Sequence, residues 1–288
     1  MTSLQSLINQ ISHYTEQQQP LPFSLFRCSQ PQQLHQVPIL SPTLIFVLCG
    51  QKQLNNSHTA NAGEFIFLRG GQNVMLSNLP DQQQYLALVL ELQPQDQLAA
   101  PPSTTEFNST FGAQLVTSEI QSSSGQPGSD FIATIPDIII TSLQQMADWS
   151  VQVDQSQWYI RRREILQLLL DAGYRQVLQA FNDDLFTTKV THLLQQQPDK
   201  NWSQADLCEQ LAISEATLRR RLLAENTSFR DLLERVRMGV GLDLLQTTRL
   251  PISLVAERCG YLSASRFSER FKQRFLLTPS QLRRTQFA

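Results

Sequence analysis

The stretch DLCEQLAI at residues 206–213 decides the fold, because it returns in altered form as LVAERCGY at residues 254–261. The two copies align at an offset of 48 residues, with small and apolar residues in matching positions. One extra residue then shifts the offset to 49 and aligns further apolar pairs, Leu218 with Phe267 and Leu222 with Phe271. Each copy therefore predicts a helix, a tight turn and a second helix, which is the layout of a helix-turn-helix.

Serine residues mark where the second helix of each copy begins. Ser214 and Ser263 can each accept a hydrogen bond from a free backbone N–H of the first helical turn. Ser203 can cap the preceding helix of the first copy, and Asp206 lies three residues later as in a capping box. Gly260 can adopt the positive φ that the chain needs to leave the first helix of the second copy.

The second helix of each copy is expected to present a polar face to solvent, because its apolar residues at positions i and i+4 must face a core. In the first copy the outward residues are Ala216, Thr217, Arg219 and Arg220. In the second copy they are Ser265, Arg266, Glu269 and Lys272. Arg can bind guanine through two hydrogen bonds, Glu can accept from cytosine, and Ser can do either. We therefore predict that these eight residues contact double-stranded DNA.

The segment between the copies predicts one long helix that begins after Ser228 and runs to Leu245. Its apolar face comprises Leu232, Leu233, Val236 and Leu244. A rigid helix would hold the two units apart, and successive major-groove faces on one side of DNA lie about 34 Å apart. One chain could then contact two adjacent segments of the major groove.

Charge is unevenly distributed along the 288 residues, whose formal net charge is −2. Residues 1–180 hold 7 Lys and Arg against 13 Asp and Glu, whereas residues 181–288 hold 16 against 12. This asymmetry indicates different partners for the two halves and excludes the first half as a DNA-binding surface by bulk charge. From residue 201 onward the balance is 14 against 9, a net of +5. We expect this modest positive charge to give weak non-specific binding to DNA. A homodimer would then be needed for firm occupancy of a site.

Short apolar runs separated by Gly, Asn and Pro occupy the first hundred residues and predict an antiparallel sandwich or a small barrel. The predicted strands are 23–27, 43–48, 64–68, 73–76 and 85–92. Residues 95–130 are rich in Gln, Pro, Ser and Gly and predict a long surface excursion. Helical spacing then predicts helices over 135–149 and 158–181, with Gly173 as a break, and only helices from Phe186 onward.

An arginine triplet at residues 161–163 opens one of these helices. The triplet could contact DNA, or it could form a helix face that is exposed to solvent. The solvent-exposed face is the favoured interpretation.

Histidine and cysteine are too few and too dispersed to predict a metal site or a catalytic site. The four histidines are His13, His35, His58 and His192, and the four cysteines are Cys28, Cys49, Cys208 and Cys259. We expect no cofactor, no metal and no enzymatic activity, with the thiols packed in cores rather than acting as redox sensors. No apolar run of 18 residues and no signal peptide are present, so we expect a cytoplasmic protein without a membrane partner.

Residues 200–285 resemble the DNA-binding region of AraC/XylS-type transcriptional regulators. The matching stretches are NTSFRDLLERVR at 226–237, PISLVAERCGY at 251–261, RFSERFK at 266–272 and TPS at 278–280. The resemblance implies two helix-turn-helix units, each with one helix in the major groove, and activation through contact with RNA polymerase.

The resemblance also implies which residues contact bases, and the sequence differs from the family pattern at two positions. Family base contacts map onto Ala216, Arg219 and Arg220, and onto Ser265, Arg266 and Glu269. Leu276 and Asn226 stand where the family has glycine; Asn tolerates the left-handed region, whereas the turn at Leu276 is expected to differ.

A second resemblance concerns the end of the first half. RREIL at residues 162–166, followed by leucines 168–170, is similar to the end of the cupin-like N-terminal domain in one AraC subgroup. This implies that residues 20–95 form a small barrel for effector binding or dimerisation. The predicted fold class is α+β, with a cupin-like β-barrel plus helices in residues 1–180 and an all-α domain with two helix-turn-helix units in residues 186–288.

The favoured function is a sequence-specific DNA-binding transcriptional activator that its N-terminal domain modulates by binding a small-molecule effector. In one alternative that domain is only a dimerisation or partner surface without an effector. In another, a cupin enzyme is fused to a DNA-binding module, but such enzymes need a paired-histidine motif, and His35 and His58 are isolated. Repression in place of activation also remains open.

Overall fold

The computed structural model of the chain describes residues 3–16, 21–98, 118–119, 130–182 and 185–286. Within these residues ten β-strands form two antiparallel sheets. The strands are β1 (Ser24–Cys28), β2 (Gln32–Ile39), β3 (Thr43–Cys49), β4 (Gln51–Leu54), β5 (His58–Asn61), β6 (Glu64–Leu68), β7 (Gln72–Leu79), β8 (Tyr85–Glu91), β9 (Ser118–Glu119) and β10 (Phe131–Thr134). One sheet has the order β1-β8-β3-β6-β10-β9 and the other β2-β7-β4-β5.

The two sheets enclose a common apolar interior, and we call this unit the barrel. Ile45 and Val89 of the six-stranded sheet share that interior with Leu34 and Leu76 of the four-stranded sheet. The opposite face of the six-stranded sheet, which includes Phe46, is also buried. Because both faces are covered, β3 and β8 consist of nearly continuous apolar residues.

Four helices belong to the barrel side of the molecule: α1 (Ser3–Glu16), α2 (Asp137–Ser150), α3 (Trp158–Asp171) and α4 (Gln176–Asn182). Buried residues of α1, α2 and α3 share a core with the outer face of the six-stranded sheet. The predicted helices are confirmed, and the predicted break lies at Gly173, whose φ is +96°. Glycine is suited to this position because it adopts positive φ without a steric penalty.

Several elements were not predicted from the sequence, namely α1, β2, β4, β5, β9 and β10. The polar strand β2 also contains Pro38 and an irregular register between Leu34 and Val37, where Gln36 has a φ of +46°. Proline and a bulge both weaken the sequence signature of a strand. Most of the predicted surface excursion, residues 99–117 and 120–129, lies outside the described residues.

The arginine triplet does not form the solvated face that was favoured from the sequence. Arg162 is 9% exposed, and its Nε donates to Oδ2 of the fully buried Asp96 over 2.7 Å. Arg161 forms an ion pair with Glu164 and lies 5.4 Å from the ring centre of Trp149. Both hypotheses are therefore wrong for Arg162, because a partner 66 residues away in the chain draws its side chain into the protein.

Residues 185–286 form only helices and short connections, as predicted. The helices are α5 (Phe186–Gln196), α6 (Gln204–Leu211), α7 (Glu215–Ala224), α8 (Phe229–Thr247), α9 (Ile252–Arg258), α10 (Ala264–Phe275) and α11 (Pro279–Gln286). The α+β fold class is thereby confirmed.

The second half of the helical region packs against the barrel. Gln32 of β2 donates to Oγ1 of Thr285 over 2.6 Å, and the Ser29 backbone N–H donates to the Thr285 carbonyl over 2.8 Å. Arg274 of α10 donates to Oδ1 of Asn73 over 2.6 Å. Helices α10 and α11 are thus joined to the barrel by polar contacts as well as by apolar packing.

A buried lysine occupies the barrel interior. Lys52 is 1% exposed, and its Nζ donates to Oδ1 of Asn78 over 2.7 Å and to the Tyr85 hydroxyl over 3.3 Å. Asn78 donates in turn to Oε1 of Gln32, which contacts α11. Burial lowers the pKa of Lys52 to about 8. A chain of hydrogen bonds thus connects the buried lysine to the helical region.

The cysteines are free thiols, as expected from their spacing. Burial raises the pKa of Cys28 and of Cys259 to about 12 in each case. Such thiols stay protonated at neutral pH, whereas thiolates are the reactive form. In the described part of the chain no three His, Cys, Asp or Glu side chains form a group that could hold a metal ion. None of the described helices is long and apolar enough to span a bilayer.

Candidate nucleic-acid interface

Helix α8 carries the cores of both helical units on its successive turns. Leu232 and Val236 belong to a core with Leu218 and Leu222 of α7. Leu242 and other residues further along α8 belong to the core that includes Phe267, Phe271 and Phe275 of α10. Its 19 residues correspond to a length of about 28 Å. The long helix predicted between the two units is confirmed.

Close packing between α8 and α10 depends on a glycine. A Cβ atom placed on Gly241 would lie 2.8 Å from the Phe267 ring and 3.3 Å from the Cys259 sulfur. Gly239, two residues earlier, faces the barrel instead, and a Cβ there would lie 3.0 Å from Cδ1 of Leu40. The Leu40 methyl group is the mobile end of a side chain, whereas the Phe267 ring is fixed in a core.

We expect Gly241→Ala to destabilise the protein and Gly239→Ala to leave it unchanged or slightly more stable. Both changes improve helix propensity by about 1 kcal/mol. Only Gly241→Ala overpacks a rigid core, at a cost of about 1–3 kcal/mol. Urea denaturation of the two variants would measure the difference between them, and equal free energies of unfolding would contradict the proposed contact with Phe267.

Left-handed residues and serine caps set the turn in each unit. Ala212 and Gly260 leave their helices with φ of +51° and +72°. Ser214 accepts from the Thr217 backbone N–H over 3.2 Å, and Ser263 accepts from the Arg266 N–H over 3.3 Å. The caps predicted at Ser214 and Ser263 are confirmed, and both second helices begin in the same way.

The capping box at the start of α6 and the cap of α8 are confirmed as well. Ser203 and Asp206 exchange hydrogen bonds between side chain and backbone N–H in both directions. The Ser203 hydroxyl and then the Ser203 backbone N–H donate to the Asp206 carboxylate, and these two bonds lower the pKa of that carboxyl. Ser228 accepts from the Asp231 N–H at the start of α8.

The eight residues predicted to contact DNA lie on α7 and α10, on the sides that face away from the cores. Seven of them are exposed: Ala216, Arg219, Arg220, Ser265, Arg266, Glu269 and Lys272. Thr217 is half-buried, and its hydroxyl lies 3.0 Å from that of Ser214. Phe267, Phe271 and Phe275, on the opposite side of α10, are fully buried. The DNA contacts themselves stay a prediction.

Arg237 connects the two units through the middle of α8. Its guanidinium group donates to the carbonyls of Pro198 and Lys200, which precede α6, over 3.2 Å and 3.0 Å. The same group lies against Gly260 and 5.9 Å from the ring centre of Tyr261, in the turn of the second unit. Glycine suits position 260 because φ there is +72°, and because a Cβ would lie 2.6 Å from the guanidinium and push it away.

The two residues that replace a family glycine both adopt the left-handed conformation that favours glycine. Asn226 has a φ of +54° and Leu276 a φ of +63°. The turn at Leu276 was expected to differ from the family pattern, yet α10 still ends in a left-handed residue whose N–H donates to the Lys272 carbonyl. A leucine in this region is strained, because its Cβ approaches the following carbonyl oxygen.

We expect Leu276→Gly to raise the free energy of unfolding by about 0.5–1 kcal/mol, because glycine relieves this strain. Little burial is lost, since Leu276 is 62% exposed. Leu262→Gly is the matched control: Leu262 is 97% exposed and has no positive φ. The control should lose roughly 0.5 kcal/mol through the added freedom of the unfolded chain. Destabilisation by both changes would contradict the strain at Leu276.

Two residues near the outward faces had no sequence signal. Leu262, in the turn before α10, leaves almost all of its side chain in solvent, beside the half-buried Tyr261. Arg221 of α7 lies 5.1 Å from the ring centre of Phe186 in α5, which separates it from its neighbours Arg219 and Arg220. Neither property follows from spacing along the chain, because each depends on the packing of another element.

Comparisons with known proteins agree with this geometry. Residues 207–285 match the family described as a helix-turn-helix domain. The chain is 34% identical over 134 residues to the urease operon transcriptional activator of Escherichia coli, covering 44% of this chain and 45% of that protein. It is 27% identical over 124 residues to the TCP pilus virulence regulatory protein of Vibrio cholerae, covering 41% and 45%. The chain thus spans less than half the length of these curated relatives.

Two solved structures share the overall fold. ToxT from Vibrio cholerae O395 has a TM-score of 0.57 and 17% identity, covering 92% of this chain and 98% of that one. Wild-type ToxT from strain SCE256 bound to an unsaturated fatty acid has a TM-score of 0.57 and 18% identity, covering 92% and 95%. Together with the two units on α8, the family match identifies residues 207–285 as a helix-turn-helix domain of the AraC type, which confirms the resemblance found in the sequence.

Proposed function

We propose that the chain is a sequence-specific DNA-binding regulator that activates transcription. The observation that carries this proposal is the pair of exposed polar faces on α7 and α10, each backed by its own core and joined by α8. Two such faces, held apart by one helix, are suited to two adjacent segments of the major groove. The urease operon relative is named a transcriptional activator.

Base contacts are assigned by side-chain chemistry. Arg219 and Arg220 in the first unit and Arg266 in the second can each bind the O6 and N7 atoms of guanine. Glu269 can accept from the cytosine amino group, and Ser265 can bond either base edge. Lys272 and the helix N-termini can bind phosphates, which position the protein without specifying sequence. Thr217, whose hydroxyl is next to Ser214, is assigned to positioning α7.

The two halves are assigned different roles. Residues 186–288 would bind DNA, and residues 1–180 would regulate that binding through the barrel and its helices. A small-molecule effector is the favoured input, since a cavity lies between the barrel and α8. The alternative role as a dimerisation or partner surface concerns the same half. RNA polymerase is the partner that activation requires, and the bacterial nucleoid in the cytoplasm is the location that the DNA target requires.

Selection of bound sites from random DNA by the full chain tests the proposed function. We expect a motif of two blocks whose centres lie about 10 base pairs apart, one block for each unit. Affinity for the selected site should fall steeply with salt concentration, as phosphate contacts release counterions. Failure to enrich any sequence, or a motif with only one block, would contradict the proposal.

A further inference from the structure

A cavity of about 210 Å³ lies where the barrel meets α8, and we call it the joint cavity. Its walls combine apolar side chains of the barrel strands, including Phe26, Ile45 and Val89, with Val240 and Leu242 of α8. A cavity of about 150 Å³ lined by apolar residues holds benzene. The joint cavity is therefore large enough for one ring with a short substituent.

Two carboxyl groups, one on each side of the joint, line the same cavity. Asp243 belongs to α8, and its Oδ1 accepts from the Ser24 hydroxyl of β1 over 3.0 Å. Glu91 ends β8, and its side chain still reaches solvent at the edge of the cavity. Surrounding protein atoms and the Asp243 carboxylate raise the pKa of Glu91, and burial raises that of Asp243. Two carboxylates near one another destabilise the ionised pair.

The described residues supply no compensating cation to the cavity. Its lining includes no Lys, Arg or His, and within the described part of the chain neither Glu91 nor Asp243 has a basic partner at ion-pair distance. A ligand with a carboxylate would meet two like charges there. A ligand with an ammonium group would relieve the repulsion and gain charge-assisted hydrogen bonds.

We propose that the joint cavity binds a small molecule with one protonated amine on an apolar body, and that Glu91 and Asp243 hold the ammonium group. This assignment rests on the proposed regulatory function and names the chemical class of its effector. The ligand would touch both the barrel and α8, the helix that carries both DNA-binding units. Its binding would therefore stabilise one arrangement of α8 on the barrel.

A larger cleft, of about 720 Å³, lies beside the turn between β6 and β7 and does not compete for this role. Two of its carboxylates already have partners. Glu225 accepts from the backbone N–H groups of Phe186 and Thr187, and Asp130 accepts from the Arg69 N–H and from Gln72. These bonds stabilise the start of α5 and the turn between β6 and β7. The two carboxylates therefore have a structural role.

The test measures binding of three molecules of similar shape to the full chain: 2-phenylethylamine, 2-phenylethanol and 3-phenylpropanoate. Isothermal titration and thermal melting should show binding of the amine, because a ligand specific to the native state raises its stability. Glu91→Gln and Asp243→Asn should each weaken amine binding about tenfold or more. Glu257→Gln, an exposed carboxylate on α9, is the matched control and should bind the amine as the wild type does.

Three outcomes would overturn the proposal. These are no binding of the amine at millimolar concentration, equal binding of the carboxylate, and amine binding that survives loss of both carboxyl groups. The two variants should fold at least as well as the wild type, since each removes a repulsion, and melting without ligand checks this. Binding of the selected DNA site is measured in parallel. Retained DNA binding without amine binding would reject this inference and leave the proposed function intact.

Discussion

Arg162→Met is expected to lower the free energy of unfolding by about 3–5 kcal/mol, the usual cost of leaving one member of a buried ion pair without its partner. Asp96 is fully buried, and its Oδ2 accepts from Arg162 and from the Gln93 backbone N–H. Methionine retains much of the volume of arginine, so the loss reports the charge rather than a cavity. Denaturation in urea at neutral pH measures it.

The matched control is Arg161→Met, one residue earlier in α3. Arg161 pairs with Glu164 at a partly exposed site, and such pairs contribute about 0–1 kcal/mol. The double variant Asp96→Leu/Arg162→Met should recover most of the loss, because it removes both charges. Equal losses in the free energy of unfolding for Arg161→Met and Arg162→Met would show that the buried ion pair costs no more to break than the partly exposed one.

The destabilisation by Arg162→Met should also depend on pH. Burial raises the pKa of Asp96 even with Arg162 present, and removing the guanidinium raises it further. A carboxyl whose pKa is higher in the folded than in the unfolded state takes up its proton first in the folded state. Its cost therefore appears as pH rises above the unfolded value and disappears on acidification. The deficit should shrink as the pH is lowered from neutral toward the unfolded aspartate pKa of about 4, and a constant deficit would contradict burial of an ionised Asp96.

Arg266→Ala is expected to weaken binding to the selected DNA site by about 1–3 kcal/mol, or about 5-fold to 150-fold in Kd. The exposed side chain of Arg266 begins the outward face of α10, and a guanidinium there can form two hydrogen bonds with guanine. The variant should also lose its preference at one base pair. Fluorescence anisotropy with the selected site and with single-base variants of it measures both effects.

Arg175→Ala controls for the loss of one positive charge, because Arg175 is exposed and lies in neither helix-turn-helix unit. It should leave DNA affinity within about twofold of the wild type. Arg266→Ala should hardly change binding to random DNA. Equal losses on random and selected DNA would show that Arg266 contacts phosphates and does not contribute to base recognition.

The helix-turn-helix units could be predicted from the sequence because their determinants are local. Serine caps, apolar pairs at i and i+4 and a left-handed residue at the turn lie close together along the chain in each unit. The outward faces of α7 and α10 follow from the same spacing. Ala212 is an exception, since its positive φ shows only in the structure.

Contacts between distant segments could not be predicted in this way. Asp96 and Arg162 are 66 residues apart, and Ser24 and Asp243 are 219 apart. The polar strand β2 is held by pairing with β7 rather than by its own residues. Local patterns thus specified two helix-turn-helix units and a β-rich first half. The ion pair of the triplet, the docking of α11 on the barrel and the joint cavity arose only when the chain was folded, because each depends on groups that no spacing rule brings together.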